Sequence, residues 1–378
     1  MELSWADVCG RRMVRQGLAG SFPVAAPAEA ASAMCGAHAQ VMSAAEVSLA
    51  LRCPSATRTD VQDALWSHRS LVKTFGPRGT VHLLPADELA LWCGALMSVP
   101  PAGRHAPNVR LSAEQTDELV AAMGKILADA ELTVDELDEA LADQVGAWAV
   151  ERVVPAFQEK WPRWRQMVET AAHRGALCFG ANKGRKTTYT SPTRWIPGFS
   201  PTPSDEAVPW LLDRYLHAYG PATPQHFARW LATTTGWAKP RFETAELTEV
   251  TVEGECAFAA LGDVDPGPAP RGVRLLPYFD AFTIASQPRE RLFPGQAAQR
   301  ALANGQAGNF PVLLIDGIVA GVWHQKKTST RITVTVEPLT TLTAPQLAQL
   351  DEQVERVAAI QHARPTLTIG PVSTRAHA

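Results

Sequence analysis

The sequence predicts an α+β chain: three tandem winged helix-turn-helix modules, then a C-terminal β-rich domain. Three observations carry this. Helical runs opened by capping signals recur along the first two thirds of the chain. Each group of helices is followed by two strand-like runs. Beyond residue 270 the apolar spacing changes to alternation. Helices followed by a two-stranded ribbon is the element order of a winged helix, with the last helix placed to read a groove and the ribbon as its wing. The expected domains are modules at 1–100, 101–200 and 201–262 and a β-rich domain at 270–378.

The first module opens with a short helix over 4–14, and Pro27 starts an Ala-rich helix. Ser43-Ala44-Ala45-Glu46 has capping-box spacing, which starts a helix at Ser43 and leaves 38–42 as a junction. Thr59-Asp60-Val61-Gln62 signals the next helix start. Runs at 71–75 and 80–84 flank Gly76-Pro77-Arg78-Gly79, a turn sequence. The second module has two helices within 112–146, the second capped by Thr133 and Glu136. A third starts near Pro162, with Trp164, Met167, Val168, Ala171 and Ala172 on one face. Strands at 176–180 and 186–190 follow. The third module has helices at 206–219, at 225–232 and near 240, then strands over 248–260. A Gly/Pro-rich linker at 262–270 leads to a hairpin turning at Asp316-Gly317, a further alternating run at 331–336, and a last helix over 345–359 with frayed residues beyond it.

Composition narrows the function classes. The chain has 378 residues with 35 basic against 38 acidic side chains, which excludes a uniformly basic nucleic-acid coat but not a local basic surface. Mean hydropathy is −0.08, and no apolar run reaches the length of a membrane span. The N-terminus lacks a signal pattern, and the six cysteines form no C-x-x-C or zinc spacing. The expectation is a reduced, cytoplasmic protein with neither metal nor cofactor. No heptad seam argues for a dimer, so a monomer is expected.

Charge is unevenly spread. Residues 112–140 are rich in carboxylates against Lys125 alone. Residues 160–195 carry Lys160, Arg163, Arg165, Arg174, Lys183, Arg185, Lys186 and Arg194 against Glu169 alone. Arg163 and Arg165 on a helix, then Lys183, Arg185 and Lys186 on a wing, suit phosphate contacts; the plainer alternative is a solvated basic face. A second basic tip spans 324–331, with Gln325, Lys326, Lys327 and Arg331. It is a groove-entering ribbon or an ordinary polar hairpin.

Sequence signatures of other chemistry fail. Gly180 to Thr187 is a near miss for a phosphate loop, with the wrong frame and a hairpin context. There is no H-E-x-x-H and no G-x-S-x-G. The junction His38-Ala39-Gln40 remains. In extended backbone, residues two apart project to one side, so an imidazole and a carboxamide can share one water. Neutral histidine accepts its proton and glutamine orients it. Taken alone, such residues are more often hydrogen-bond partners at helix ends.

At these residues the chain resembles the bacterial winged-helix DNA glycosylases of the AlkZ type, related to an azinomycin self-resistance enzyme. The matching strings run from Met34 to Glu46, Arg78 to Pro85, Leu275 to Asp280 and Asp316 to Trp323, in order along nearly the whole chain. The resemblance implies a basic concave surface for duplex DNA and a β-hairpin reaching it, placed at 322–332. It also implies a catalytic pair at a Gln-x-Gln position, which here reads His38-Ala39-Gln40. Gln40 carries over directly; His38 departs from the founding pattern and looks like a His-x-Gln branch. The activity expected from it is that of a monofunctional glycosylase acting on N7-alkylated purines in duplex DNA, without metal or cofactor; the His38 departure leaves crosslinks, bulky monoadducts and simple N7-alkylpurines open as its lesions. The rival readings are a winged-helix transcription regulator, which module architecture alone would favour, and a family member that only senses lesions.

Overall fold

Strand alternation and helix capping build two compact units. The computed structural model describes residues 1–19, 24–100, 106–107, 109–156 and 159–377. One unit comprises 1–68, 212–230 and 234–378; the other comprises 69–211 and 231–233. No helix among the described residues is long and apolar enough to cross a membrane.

In the first unit a five-stranded sheet runs in the order Val273–Leu276, Val312–Ile315, Ile318–Lys327, Arg331–Pro338, Arg364–Ile369. Its two faces follow from the period of two. Leu275, Leu313, Trp323, Ile332 and Val334 bury against Leu350, Val354 and Val357 of helix Ala344–Ile360. Leu276, Val312, Leu314 and Val322 bury on the other side with Val8, Cys9 and Met13 of helix Trp5–Arg15. Asp316 and Gly317, at φ 48° and 77°, make the expected tight turn between the central strands.

Three expectations are corrected here. Helix Met42–Arg52 starts one residue before Ser43 and Val41 is its N-cap, so the Ser43 capping box does not form. Glu46 instead accepts from Gln62 Nε2 at 2.9 Å and faces Arg58 at 3.5 Å. The next helix, Arg58–Trp66, is capped by Thr57 and Asp60 rather than from Thr59. The chain beyond the last helix is not frayed: Arg364–Ile369 adds to the sheet as a parallel strand. Parallel pairing needs a crossover, and helix Ala344–Ile360 supplies it.

The second unit contains the hairpin Leu71–Phe75 with Val81–Pro85, turned by Arg78 and Gly79 at φ 65° and 64°. Helices Ala113–Leu127 and Val134–Gln144 both start with complete capping boxes, at Ser112–Gln115 and Thr133–Glu136. They bury Leu119, Met123, Leu137 and Leu141 around Trp164 and Tyr189. The helix expected near Pro162 is a 3-10 turn, Arg163–Met167, followed by the short helix Val168–His173. Cys178–Phe179 pairs with Thr188–Thr190, and Leu132–Thr133 completes a three-stranded sheet.

Candidate active site

His38 is placed by a sharp exit from the preceding helix. Helix Pro27–Ala33 ends at Met34, and Cys35 and Gly36 both take left-handed φ, 56° and 91°. Gly36 adopts that conformation without a Cβ penalty and donates its N–H back to Ala31 O at 2.7 Å. The chain then extends through Ala37–His38. Two contacts fix the exit: Tyr219 Oη donates to Met34 O at 2.6 Å, and the Cys35 thiol lies 3.4 Å from Arg214 O. His38 is buried, whereas Gln40 is exposed. The two residues therefore share one short segment with different access to solvent.

The His38 ring stacks on Phe279, with centroids 4.7 Å apart and planes 30° apart. Phe279 sits at φ 56° and is followed by Asp280, which is fully buried. Asp280 is held by helix Met42–Arg52, which begins two residues after Gln40. Arg52 Nη1 and Nη2 each donate to it at 2.9 Å, and Ser48 Oγ donates at 2.6 Å. Its Oδ1 also accepts from Phe282 N at 3.0 Å. This carboxylate is saturated by structural donors, and its work is to fix the Phe279 backbone. In the sequence, Phe279 and Asp280 stand out only as part of a matching string; their link to His38 is a tertiary one.

The basic residues have mixed settings. Part of the basic segment is paired in space with the acidic one. Lys183 Nζ lies 3.0 Å from Glu136, Lys186 Nζ lies 2.7 Å from Asp135, and Arg174 pairs with Asp117. The Thr133 N–H and then Lys183 hold the Glu136 carboxyl down at about 2. Arg163 pairs with Glu151, and Arg165 lies over the Trp161 ring at 4.3 Å. Arg185 is exposed and makes no ion pair among the described residues.

The second basic tip does not stand free as a ribbon. Residues 324–327 lie within strand Ile318–Lys327, and the turn is Thr328-Ser329-Thr330. The partner strand Arg331–Pro338 is backed from Arg331 onward by Arg364–Ile369. Gln325 and Gln361 exchange side-chain hydrogen bonds, and Lys327 Nζ donates to Gln361 O at 2.8 Å. Lys326 and Arg331 are exposed, with no ion pair among the described residues.

No group of three or more potential metal ligands occurs among the described residues. Five of the cysteines are buried, and burial pushes the Cys9 and Cys53 thiols up to about 11 and Cys93 to about 12. They are packing residues rather than nucleophiles.

The family model for AlkZ-like DNA glycosylases matches residues 31–360, and the chain is a DNA glycosylase belonging to that family. The match sets aside the reading as a transcription regulator. The chain is 34% identical over 340 residues to the interstrand DNA cross-link repair glycosylase of Streptomyces sahachiroi, covering 86% of this chain and 88% of that protein. The solved structure of Streptomyces sahachiroi DNA glycosylase AlkZ superposes with a TM-score of 0.83 at 30% identity, over 98% of this chain and 100% of that one. The mixed helix-and-strand architecture is thus that of a solved glycosylase.

Proposed function

We propose that this glycosylase hydrolyses the N-glycosidic bond of N7-alkylated purines in duplex DNA, with His38 and Gln40 as its catalytic pair. The observation that carries the reading is the His38-Ala39-Gln40 segment, with His38 clamped on Phe279 at 4.7 Å. N7 alkylation makes the base cationic. As the C1′–N9 bond breaks, its electron pair moves into the purine, and the base leaves neutral without a general acid. The enzyme then has to place water at C1′ of an oxocarbenium-like sugar. Gln40 orients that water; His38 accepts its proton as the new O–C1′ bond forms, then releases it to solvent. No metal or cofactor enters this scheme.

The cross-link repair activity of the Streptomyces sahachiroi relative extends the proposal to interstrand crosslinks and bulky adducts. The helical groups would act as three winged helices gripping duplex DNA as a monomer. Arg185, Lys326 and Arg331 would be the first phosphate contacts. Gln325, Lys327, Arg163 and Arg165 would contribute nearby, and Lys183 and Lys186 would exchange their carboxylates for phosphate. Exposed ion pairs are worth only about 0–1 kcal/mol, so that exchange is cheap.

The test is base release from a duplex carrying N7-methylguanine. Wild type should release the base, and His38→Ala and Gln40→Ala should lose release while keeping duplex affinity. Equal release rates in the variants would refute the assignment. A crosslinked duplex tests the wider range.

A further inference from the structure

We propose that Tyr278, Phe279 and His377 form an aromatic wall beside His38 that recognises the positive charge of the alkylated base, and that His377 sets how large an adduct fits. The proposal rests on the catalytic reading of His38 and Gln40 and adds the recognition that reading leaves out.

Four rings form one cluster. Phe279 stacks on His38, lies 6.3 Å from Tyr278 and meets His377 edge-on at 5.5 Å and 81°. Tyr278 and His377 meet at 5.3 Å and 61°. Tyr278, Phe279 and His377 are all half-buried rather than sealed in the core. The Tyr278 hydroxyl has no hydrogen-bond partner among the described residues.

The wall is firmly built. Phe279 N donates to Gly308 O at 2.9 Å. Gly308, at φ 96°, lies so close that a Cβ there would come within 3.1 Å of the Phe279 ring. The next residue, Asp280, is locked by Arg52 and Ser48. His377 is carried by a tail strapped to the sheet. Gly370 N donates to Val336 O, Val372 N donates to Glu337 Oε2 at 2.6 Å, and Arg300 Nη2 donates to Val372 O at 2.7 Å. His377 N then donates to Asn309 O at 2.9 Å.

The chemistry follows. Aromatic faces attract cations, and an N7-alkylpurine is a flat cation whereas an ordinary purine is a flat neutral ring. A carboxylate would attract any cation, but the one adjoining this wall, Asp280, is filled by Arg52, Ser48 and Phe282. Rings therefore select charge and flatness together. Because His377 closes the wall from a tail rather than from the sheet, its removal opens room for larger alkyl groups.

The test compares equilibrium binding to three duplexes. One carries a 2′-fluoro N7-methylguanine nucleotide, whose glycosidic bond resists cleavage. The second carries neutral 7-methyl-7-deazaguanine of the same shape, and the third carries guanine. Wild type should prefer the cationic duplex over its neutral isostere by about 2- to 30-fold. Tyr278→Leu and His377→Ala should bring that ratio toward one while leaving affinity for the guanine duplex unchanged. His377→Ala should also raise kcat/KM on a bulky N7 adduct relative to N7-methylguanine. Absence of charge preference in wild type, an unchanged ratio in both variants, or equal weakening on all three duplexes would overturn the wall. His377→Ala, on the C-terminal tail outside the sheet, keeps the test available should Tyr278→Leu fail to fold. The two proposals fail separately: charge preference without base release from N7-methylguanine sinks the catalytic reading alone, and base release with unaltered ratios sinks the wall alone.

Discussion

The buried Arg52–Asp280 pair should be among the most costly interactions to break, and its removal should damage stability and activity by separable routes. Both side chains are 0% exposed. Asp280→Ala removes two charge-assisted bonds of 2.9 Å, the acceptor of Ser48 Oγ and the acceptor of Phe282 N. It leaves the Arg52 guanidinium buried with Ser48 O as its remaining strong acceptor at 2.8 Å. Breaking one side of such a pair costs roughly 3–5 kcal/mol, a large share of a stability of about 5–15 kcal/mol. Replacing both partners, as Arg52→Met with Asp280→Leu, removes both desolvation penalties and should recover most of that cost. Urea unfolding followed by tryptophan fluorescence gives the cycle, with an expected coupling of about 2–3 kcal/mol. The double variant should still release base poorly, since the backbone that presents Phe279 to His38 no longer has its anchor. A single-variant cost below about 1 kcal/mol, or costs that simply add, would refute the reasoning.

Other outcomes follow from burial and charge. Burial pushes the His173 imidazole down to about 4, opposed by its hydrogen bond to the Phe75 backbone. The folded state therefore holds it neutral. Its contribution is intact above the unfolded value near 6.5, fades by about 3 kcal/mol as pH falls toward 4, and is flat below; His173→Phe should flatten unfolding free energy across that window. Lys326→Glu with Arg331→Glu should weaken duplex binding across sequences and lower the log–log salt slope by about one for each phosphate no longer neutralised, read by titration at several salt concentrations. An aromatic disulfide reagent should label Cys256, the exposed thiol, in the native protein and reach the other five cysteines only on unfolding.

What the sequence disclosed and what it hid divide along physical lines. Local signals were reliable: Thr133–Glu136 caps its helix, and Asp316-Gly317 turns its hairpin. The capping motif at Ser43 failed because Glu46 had stronger partners in Gln62 and Arg58. Strand Arg364–Ile369 is hard to read because Pro365 and its exposed alternation weaken the strand pattern; an edge strand tolerates both. The charge asymmetry was legible in sequence, but its pairing in space was not, since Lys183 and Glu136 are 47 positions apart. His38 and Gln40 stood out through a resemblance. The roles of Phe279, Asp280 and His377 did not, because they depend on packing against residues far away along the chain.

The histidine at the first position of the pair gives the sharpest remaining prediction. A glutamine there could hold water but could not take its proton at ordinary pH, whereas neutral imidazole can do both. His38→Gln recreates the Gln-x-Gln pattern implied by the resemblance and keeps a water-holding side chain. His38→Ala keeps neither function. Proton acceptance is typically worth about 10²- to 10⁴-fold in rate, and water placement survives in the glutamine variant. The order of base release should therefore be wild type, then His38→Gln, then His38→Ala. The size of the first step separates the two functions: loss of proton acceptance costs His38→Gln about 10²- to 10⁴-fold, whereas a water-holding role alone leaves it near wild type. Single-turnover release of N7-methylguanine by the three proteins measures this directly. Equal rates in wild type and His38→Gln would mean that His38 only holds the water, and that the departing cationic base makes proton acceptance unnecessary.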